Sequence, residues 1–491
     1  MISKPYIIGI SGESGVGKST LAEIISLFFG EHNTAIISTD DLHKWERHNP
    51  AWSSITHLNP NANNLELGDF HLQDLVIGKP IYRSVYNHKT GWFNPPKKIE
   101  PQSFIIIEGL HAFYTDISQS LIDLKIFVDA DRNLITHWKL LRDTEERGYK
   151  YNDVLEIIKK RSLDNGHLRD KQIGLADAVV KIDTISAIHN LGNKHETVEI
   201  AVTVEKKKDT EVPKGLLEFI ENYLSDFSDF TKIAETIGQS IDICQNGGGN
   251  ISVKSDDFMI IKASGYDIKD ISCLRGYSVI MPAEKHDILN SQNDSELNGI
   301  LKKVHVRHKT PSMEVGVHLL LRKYVIHTHA IYPTLLLCLE NSKEIISALY
   351  SDLDYEYVDY ATPGHDLFVA FKGLPSKPVY FLENHGIVIS SDNLKEAVDL
   401  LNHIHAIAKE YICRVGGFEE FDISFADKNT YALYPFPDAV IFYNNPAKRE
   451  TIAAHNYVNS IGGQMGNVRH LTDDQVKALL SLESEKHRQS I

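Results

Sequence analysis

In the first third of the chain the apolar positions fall into short unbroken runs. Pro5-Tyr6-Ile7-Ile8-Gly9-Ile10-Ser11, Ala35-Ile36-Ile37-Ser38, Phe104-Ile105-Ile106-Ile107 and Leu124-Lys125-Ile126-Phe127-Val128 place water-avoiding residues side by side rather than at alternate positions. A strand covered on one face alternates, whereas one covered on both faces does not, so these runs predict buried parallel strands. Between the first two, Ser19 to Phe29 carries apolar residues at helical spacing. Strands alternating with helices predict an open α/β sheet. That sheet is expected to end around Ala176-Asp177-Ala178-Val179-Val180, with Glu199 to Val204 as one more strand.

The polar, breaker-rich stretch from Lys206 to Gly215 reads as a linker. From Leu216 the texture changes to a helical opening, then Asn246-Gly247-Gly248-Gly249-Asn250, then short strands and helices as far as Arg414. The remaining tail has a Pro-rich turn, Tyr434-Pro435-Phe436-Pro437, and a helical stretch from Thr472 to about His487, with Asp473 or Asp474 as its cap. No chemistry is legible in the tail. The expected division is therefore a first domain over 1–205, a linker over 206–215, a second α/β domain over 216–414, and an extension over 415–491 packing on it.

Length and composition agree with this division. A chain of 491 residues exceeds one ordinary core. Its 42% hydrophobic and 24% charged residues are those of a soluble globular protein. A net charge of −15 argues against a nucleic-acid surface, which needs clustered Lys and Arg, but leaves small anionic substrates open. Cys244, Cys273, Cys338 and Cys413 form no CxxC pattern, so a reducing compartment is expected. No apolar run reaches the roughly 18 residues of a membrane span, and no signal-peptide core precedes the first glycine loop. The expectation is a cytoplasmic protein with small-molecule substrates and neither membrane nor nucleic-acid partners.

Two constellations carry chemistry. Gly12-Glu13-Ser14-Gly15-Val16-Gly17-Lys18-Ser19 follows a predicted strand and opens a predicted helix. Glycines let backbone N–H groups converge on phosphate oxygens, and the helix N-terminus adds a favourable dipole. Gly12, Ser14, Gly15, Gly17, Lys18, Ser19 and Thr20 are thus candidates for an ATP cradle, with Lys18 on the β/γ-phosphates and Ser19 on Mg²⁺. Asp40 follows the second strand, where a carboxylate can take the proton of an acceptor hydroxyl; Glu108, after the third, could complete the Mg²⁺ shell. Lys139, Arg142 and Arg147 are expected on one helix at i, i+3 and i+8, the first two sharing a face.

Far downstream, His327-Thr328-His329 puts two imidazoles at i, i+2, on one face if Lys323 to His329 is a strand. A third, His385, follows the apolar run Val379-Tyr380-Phe381-Leu382. Three histidine ligands leave an open position on Zn²⁺, as in a catalytic site. Such a metal can polarise a ketose carbonyl and stabilise an enediolate.

The first segment, roughly 3–183, resembles the phosphoribulokinase/uridine kinase family. The resemblance is carried by the glycine loop, the DxxHK stretch from Asp40, Asn61-Ala62-Asn63, Lys79-Pro80-Ile81, Tyr86-Asn87-His88-Lys89-Thr90-Gly91, Pro95-Pro96, Glu108-Gly109-Leu110-His111, Trp138-Lys139-Leu140-Leu141-Arg142-Asp143 and Glu146-Arg147-Gly148. It implies Asp40 as base, Glu108 near the metal, Arg147 on ATP, and His88, Lys139 and Arg142 around the acceptor. Lys44 stands where the family often has Arg; a point charge replaces a bidentate fork, which leaves the acceptor's identity open.

The second segment, about 216–412, resembles the class II aldolase/adducin family through Gly248-Gly249-Asn250-Ile251-Ser252, Lys262-Ala263-Ser264-Gly265, Pro311-Ser312-Met313-Glu314, Tyr360-Ala361-Thr362-Pro363-Gly364 and Asn384-His385-Gly386. The resemblance implies Zn²⁺, or another divalent metal, on His327, His329 and His385, with Glu314 as the proton-transfer residue. It also implies a substrate-phosphate site from Gly249, Asn250, Ser264, Gly265 and Ser312, and a homo-oligomer of the tetrameric kind that class II aldolases form. Met313 stands where such aldolases often carry a second serine, and the family's phenolic acid has no assigned position among Tyr350, Tyr355 and Tyr357. Aldolase, epimerase and dehydratase share the metal set, and the adducin branch is non-catalytic; the length of Glu314 favours aldolase or dehydratase. The sequence therefore reads as an α/β chain, a P-loop kinase with a parallel sheet followed by a class II aldolase-like domain.

Overall fold

The computed structural model describes residues 4–55, 57–145, 147–161, 166–187, 198–272, 274–304, 309–428 and 431–489. Cys273 and Glu146 lie outside these residues. The chain divides into two compact units, Met1–Ser225 and Asp226–Ile491.

The first unit is built on a six-stranded sheet. Its elements are β1 (Tyr6–Gly12), α1 (Lys18–Phe29), β2 (Thr34–Ser38), β3 (Phe104–Glu108), β4 (Leu124–Ala130), α2 (Arg132–Glu145), β5 (Ala178–Ala187) and β6 (Val198–Lys206). The spatial order is β6-β5-β4-β1-β3-β2, parallel throughout except for the antiparallel β5–β6 pair. The unbroken apolar runs are explained by cover on both faces. Ile8, Ile10, Ile106 and Ile126 pack with Leu21 and Ile25 of α1, while Ile7, Ile105 and Ile107 pack with Leu72, Leu75 and Phe113. Each such side chain contributes about 1.5–3 kcal/mol on burial. The register sets Glu108 level with both Ile10 and Ser38, so β2 and β3 end together while β1 runs on to Gly12, and their following loops leave the same edge.

α3 (Leu216–Gly238) begins just beyond the breaker-rich stretch, and the division into units falls within it. The second unit holds a seven-stranded sheet: β7 (Asn250–Lys254), β8 (Met259–Lys262), β9 (Tyr277–Ile280), β10 (Tyr324–Thr328), β11 (Tyr355–Val358), β12 (Val379–Leu382) and β13 (Gly386–Ser391). The order is β9-β8-β7-β10-β13-β12-β11, antiparallel except for β11 with β12. β10 lies at the centre, with Asn250 of β7 and Val388 of β13 flanking His327.

The tail departs from the sequence reading. The Pro-rich stretch leads directly into α4 (Pro437–Phe442), with Pro437 in its first turn, followed by α5 (Arg449–Met465). Proline suits that position because its missing N–H has no intrahelical partner to lose. The single helix expected from Thr472 to about His487 is two, α6 (Asp473–Ser481) and α7 (Glu483–Gln489), separated by Leu482 in extended backbone. The cap is Thr472 rather than Asp473 or Asp474: its hydroxyl accepts from Gln475 N, and the Gln475 side chain accepts from Thr472 N.

Candidate functional sites

In the first unit, β1 delivers the glycine loop to the N-terminus of α1, where Gly17 takes a left-handed conformation and Lys18 is the first helical residue. Ser14 and Thr20 are half-buried and Ser19 is exposed. A Cβ on Gly15 would lie 3.2 Å from Lys139 Cβ, so α2 lays Lys139 across the loop. Lys18 is buried, and its ammonium donates to Glu13 O at 2.8 Å. Burial pulls its pKa down, while Asp40 and Glu108 act to restore it.

Asp40 and Glu108 face this lysine in contrasting states. Burial alone would raise the Asp40 carboxyl, but Lys18, followed by His57, His43 and His88, outweighs it and holds the group at about 2. Burial, and then the Asp40 charge, pushes Glu108 up to about 7. Asp41 has different partners: it accepts from Tyr86 N at 2.8 Å and pairs with Arg83 at 3.6 Å.

The basic residues gather at the same edge. Burial, then Arg147, pushes the His88 imidazole down to about 4, so it is neutral at physiological pH. Arg142 and Arg147 share one carboxylate, Asp143 Oδ1, at 2.9 and 3.2 Å. One expectation is corrected here: α2 ends at Glu145, so Arg147 lies beyond the helix. Asp143, not helical phase, brings the two guanidinium groups together.

In the second unit β10 carries His327, and His329 follows immediately after its end. His385 sits in the turn between β12 and β13, next to Asn384 at φ 52°. Ligand atoms of the three buried histidines lie within 4.8 Å of one another. His327 Nε2 and His329 Nε2 are 3.2 Å apart. Since a carbonyl can only accept, His327 Nδ1 donates to Ile387 O at 2.9 Å, which turns the Nε2 lone pair inward. His329 Nδ1 lies 2.7 Å from Asp438 Oδ2 of α4. Burial lowers the His327 pKa and favours the neutral ring that binds metal. Three convergent, neutral-capable imidazole nitrogens fit a divalent metal of the Zn²⁺ type.

Glu314 reaches both flanks of the cluster, its Oε2 3.5 Å from His327 Nε2 and its Oε1 3.4 Å from His385 Nε2. Asn250 Nδ2 fixes it with a 2.6 Å bond to Oε2. Asn250 thus contacts the carboxylate. The antiparallel bridge Ala263↔Pro311 brings Ser264 and Gly265 beside Ser312. The backbone N–H groups of Ser264 and Ser312 are spent on Thr310 O and Lys262 O, at 2.8 and 3.1 Å, so these two serines can offer an anion only their hydroxyls. Gly249 packs behind β10, where a Cβ would meet His327 O at 2.6 Å. Met313 turns the other way and joins Val440, Ile441, Phe442 and Leu471 in a core cluster.

Three features escaped the sequence reading. Buried Lys262 lies two residues before Ser264, its Nζ 3.5 Å from Ala263 O. Asn384 Nδ2 donates to Pro435 O and Arg469 O, both at 2.8 Å. Asp438 meets His329 from a segment in which no chemistry was legible. The lysine that closes the apolar run Phe258-Met259-Ile260-Ile261, just before Ser264-Gly265, carried a signal for the first; the other two depend on contacts remote in sequence. Of the tyrosines, Tyr350 donates to Ile404 O and Tyr357 bonds Ser342, so each hydroxyl already has a structural partner.

Residues 7–188 match the phosphoribulokinase/uridine kinase family, and residues 235–412 match the class II aldolase and adducin N-terminal domain. The phosphoribulokinase of Synechocystis sp. is 35% identical over 181 residues, 37% of this chain and 54% of that protein. The uridine kinase of Bacillus pumilus is 32% identical over 159 residues, 32% of this chain and 76% of that protein. The chain spans about half the length of the phosphoribulokinases it matches. The solved N-terminal class II aldolase domain of a conserved protein from Thermoplasma acidophilum is 24% identical, with a TM-score of 0.35, covering 38% of this chain and 94% of that one. The tail from Val415 onward lies beyond both matched segments.

Proposed function

The chain belongs to the phosphoribulokinase/uridine kinase family through its first part and carries a class II aldolase/adducin domain in its second, and on that premise we propose a bifunctional enzyme. The kinase transfers phosphate from ATP to a hydroxyl of a sugar or sugar phosphate. The second domain cleaves a ketose phosphate between C3 and C4 to dihydroxyacetone phosphate and an aldehyde.

For the kinase, Lys18 and the glycine loop hold the ATP phosphates, and Ser19 and Glu108 would hold Mg²⁺. Asp40, ionised at neutral pH, accepts the acceptor hydroxyl's proton as that oxygen bonds to the γ-phosphorus and ADP leaves. His88, Lys139 and Arg142 orient the acceptor, and Arg147 lies against the nucleotide.

For the lyase, His327, His329 and His385 would hold the metal, which supplies positive charge for the negative charge that develops on the substrate's carbonyl oxygen. Glu314 moves the proton: its carboxylate faces the histidine cluster and Asn250 sets its orientation. The serine hydroxyls, Gly249, Gly265 and nearby Lys262 bind the phosphate. The single observation that carries the lyase reading is the convergence of three imidazoles on one buried, anchored carboxylate.

Purified protein supplied with Mg-ATP, Zn²⁺ and a panel of ketoses tests the whole reading, with phosphorus NMR following each phosphate. Release of an aldehyde that depends on ATP is expected for at least one sugar. Absence of such release from every sugar would sink the coupled version.

A further inference from the structure

Asp438 stands on α4, in the part of the tail beyond both matched family segments. It is buried, with Oδ2 2.7 Å from His329 Nδ1. All six residues of α4 are buried, so the carboxylate is delivered by a packed element rather than a loose strand. The approach is tight from the other side as well: a Cβ on Gly248 would lie 2.5 Å from Asp438 Oδ2 and 3.0 Å from His329 Nδ1. Gly248 therefore leaves the space in which acid and imidazole meet.

We infer that Asp438 is a positioning residue for the metal centre, and that the tail completes a site whose ligands all lie in the preceding domain. This rests on the metal reading proposed above. An ionised carboxylate accepts the Nδ1–H proton of His329, which fixes the tautomer with the Nε2 lone pair facing His327 and His385. Its negative charge also raises the basicity of the ring as a ligand. His327 receives its orientation from a backbone carbonyl, Ile387 O, which every sequence supplies. For His329 the same task falls to a side chain, so it is open to mutation. The tail reaches the third ligand too, since Pro435 O and Arg469 O hold the Asn384 side chain beside His385.

The test is metal affinity in the full chain, by competition with a chromogenic chelator, together with the visible spectrum of the Co²⁺-loaded protein. Wild type is expected to hold one Zn²⁺ per chain. Asp438→Ala should weaken Zn²⁺ binding about 100-fold and Asp438→Asn, which keeps an acceptor but not the charge, about 10-fold. Asp438→Glu should recover part of the loss, and the Co²⁺ bands of the alanine variant should shift. Melting of the chelator-treated proteins separates this role from a folding defect, because the Asn variant should melt with wild type once both lack metal. Equal Zn²⁺ affinity and unchanged Co²⁺ bands in wild type and Asp438→Asn overturn the inference alone. Failure of wild type to bind Zn²⁺ stoichiometrically overturns the metal reading and this inference with it. If the alanine variant does not fold, the Asn and Glu variants decide on the same readings.

Discussion

Asp40 and Asp41 are neighbours in the chain with opposite employment. Asp41 is tied to Arg83 and Tyr86 N and holds the β2 exit in place, whereas Asp40 is kept ionised chiefly by Lys18. Asp40→Asn should therefore lower the kinase kcat by about 10²–10⁴ while ATP binding, measured by calorimetry, is retained. Glu314→Gln should lower retro-aldol kcat by a similar factor with Zn²⁺ content unchanged, read by metal analysis beside turnover. A pH effect belongs at this scale too. His455 is fully buried, and burial pushes its imidazole down to about 4, against about 6.5 in an unfolded chain. Between those values the unfolded state binds the extra proton, so the contribution to stability is intact above about pH 6.5 and is lost as pH falls toward 4. The loss is roughly 3 kcal/mol, and urea titrations at pH 7 and pH 4.5 should show a smaller difference for His455→Gln than for wild type. The positions of the glycine loop, Asp40 and Glu108 at strand ends were legible in the sequence. The expected place of Arg147 on the helix was wrong, because a helix end depends on local geometry that the basic spacing did not encode. Asp438 was not seen at all, because its partner lies 109 positions away.

The β elements were legible because burial on both faces leaves an unbroken apolar run, and β1 to β4 lie where those runs stand. In the tail the helical stretch after Thr472 was legible, though not its break at Leu482, whereas α4 was not: Pro435 and Pro437 read as turn residues, yet Pro437 sits in the one helical turn that tolerates it. Met313 shows how the tail is held. It packs among Val440, Ile441, Phe442 and Leu471. Met313→Ala should cost about 2–5 kcal/mol, measured as a lowered urea midpoint, since the cavity would open between the Glu314 segment and α4. Thr472→Ala removes one half of a reciprocal cap and should cost about 1 kcal/mol by the same measurement.

At the scale of the molecule, the candidate groups for the two chemistries fall in different compact units. Their chemistries should therefore be separable. Lys18→Ala is expected to abolish ATP turnover and leave cleavage of an already phosphorylated ketose at the wild-type rate. A Zn²⁺-selective chelator should do the reverse, removing cleavage while Mg²⁺-dependent ATP turnover persists. Loss of both activities in either experiment would contradict separable sites. Removal of the metal should also lower the melting temperature of the second unit, because a ligand present at 1,000 times its Kd stabilises the folded state by about 4 kcal/mol. Calorimetry with and without the chelator would record it.

The packing of the tail sets a limit on portability. A chain cut at residue 412, where the matched aldolase segment ends, would lose the partner of His329 Nδ1, both acceptors of the Asn384 amide and the apolar cover over Met313. What remained would be a sheet with all three histidines present and an oily patch exposed beside them, a surface suited to aggregation rather than to catalysis. The unit that can be transplanted or fused is thus longer than the unit that sequence similarity outlines, and it extends at least through Arg469.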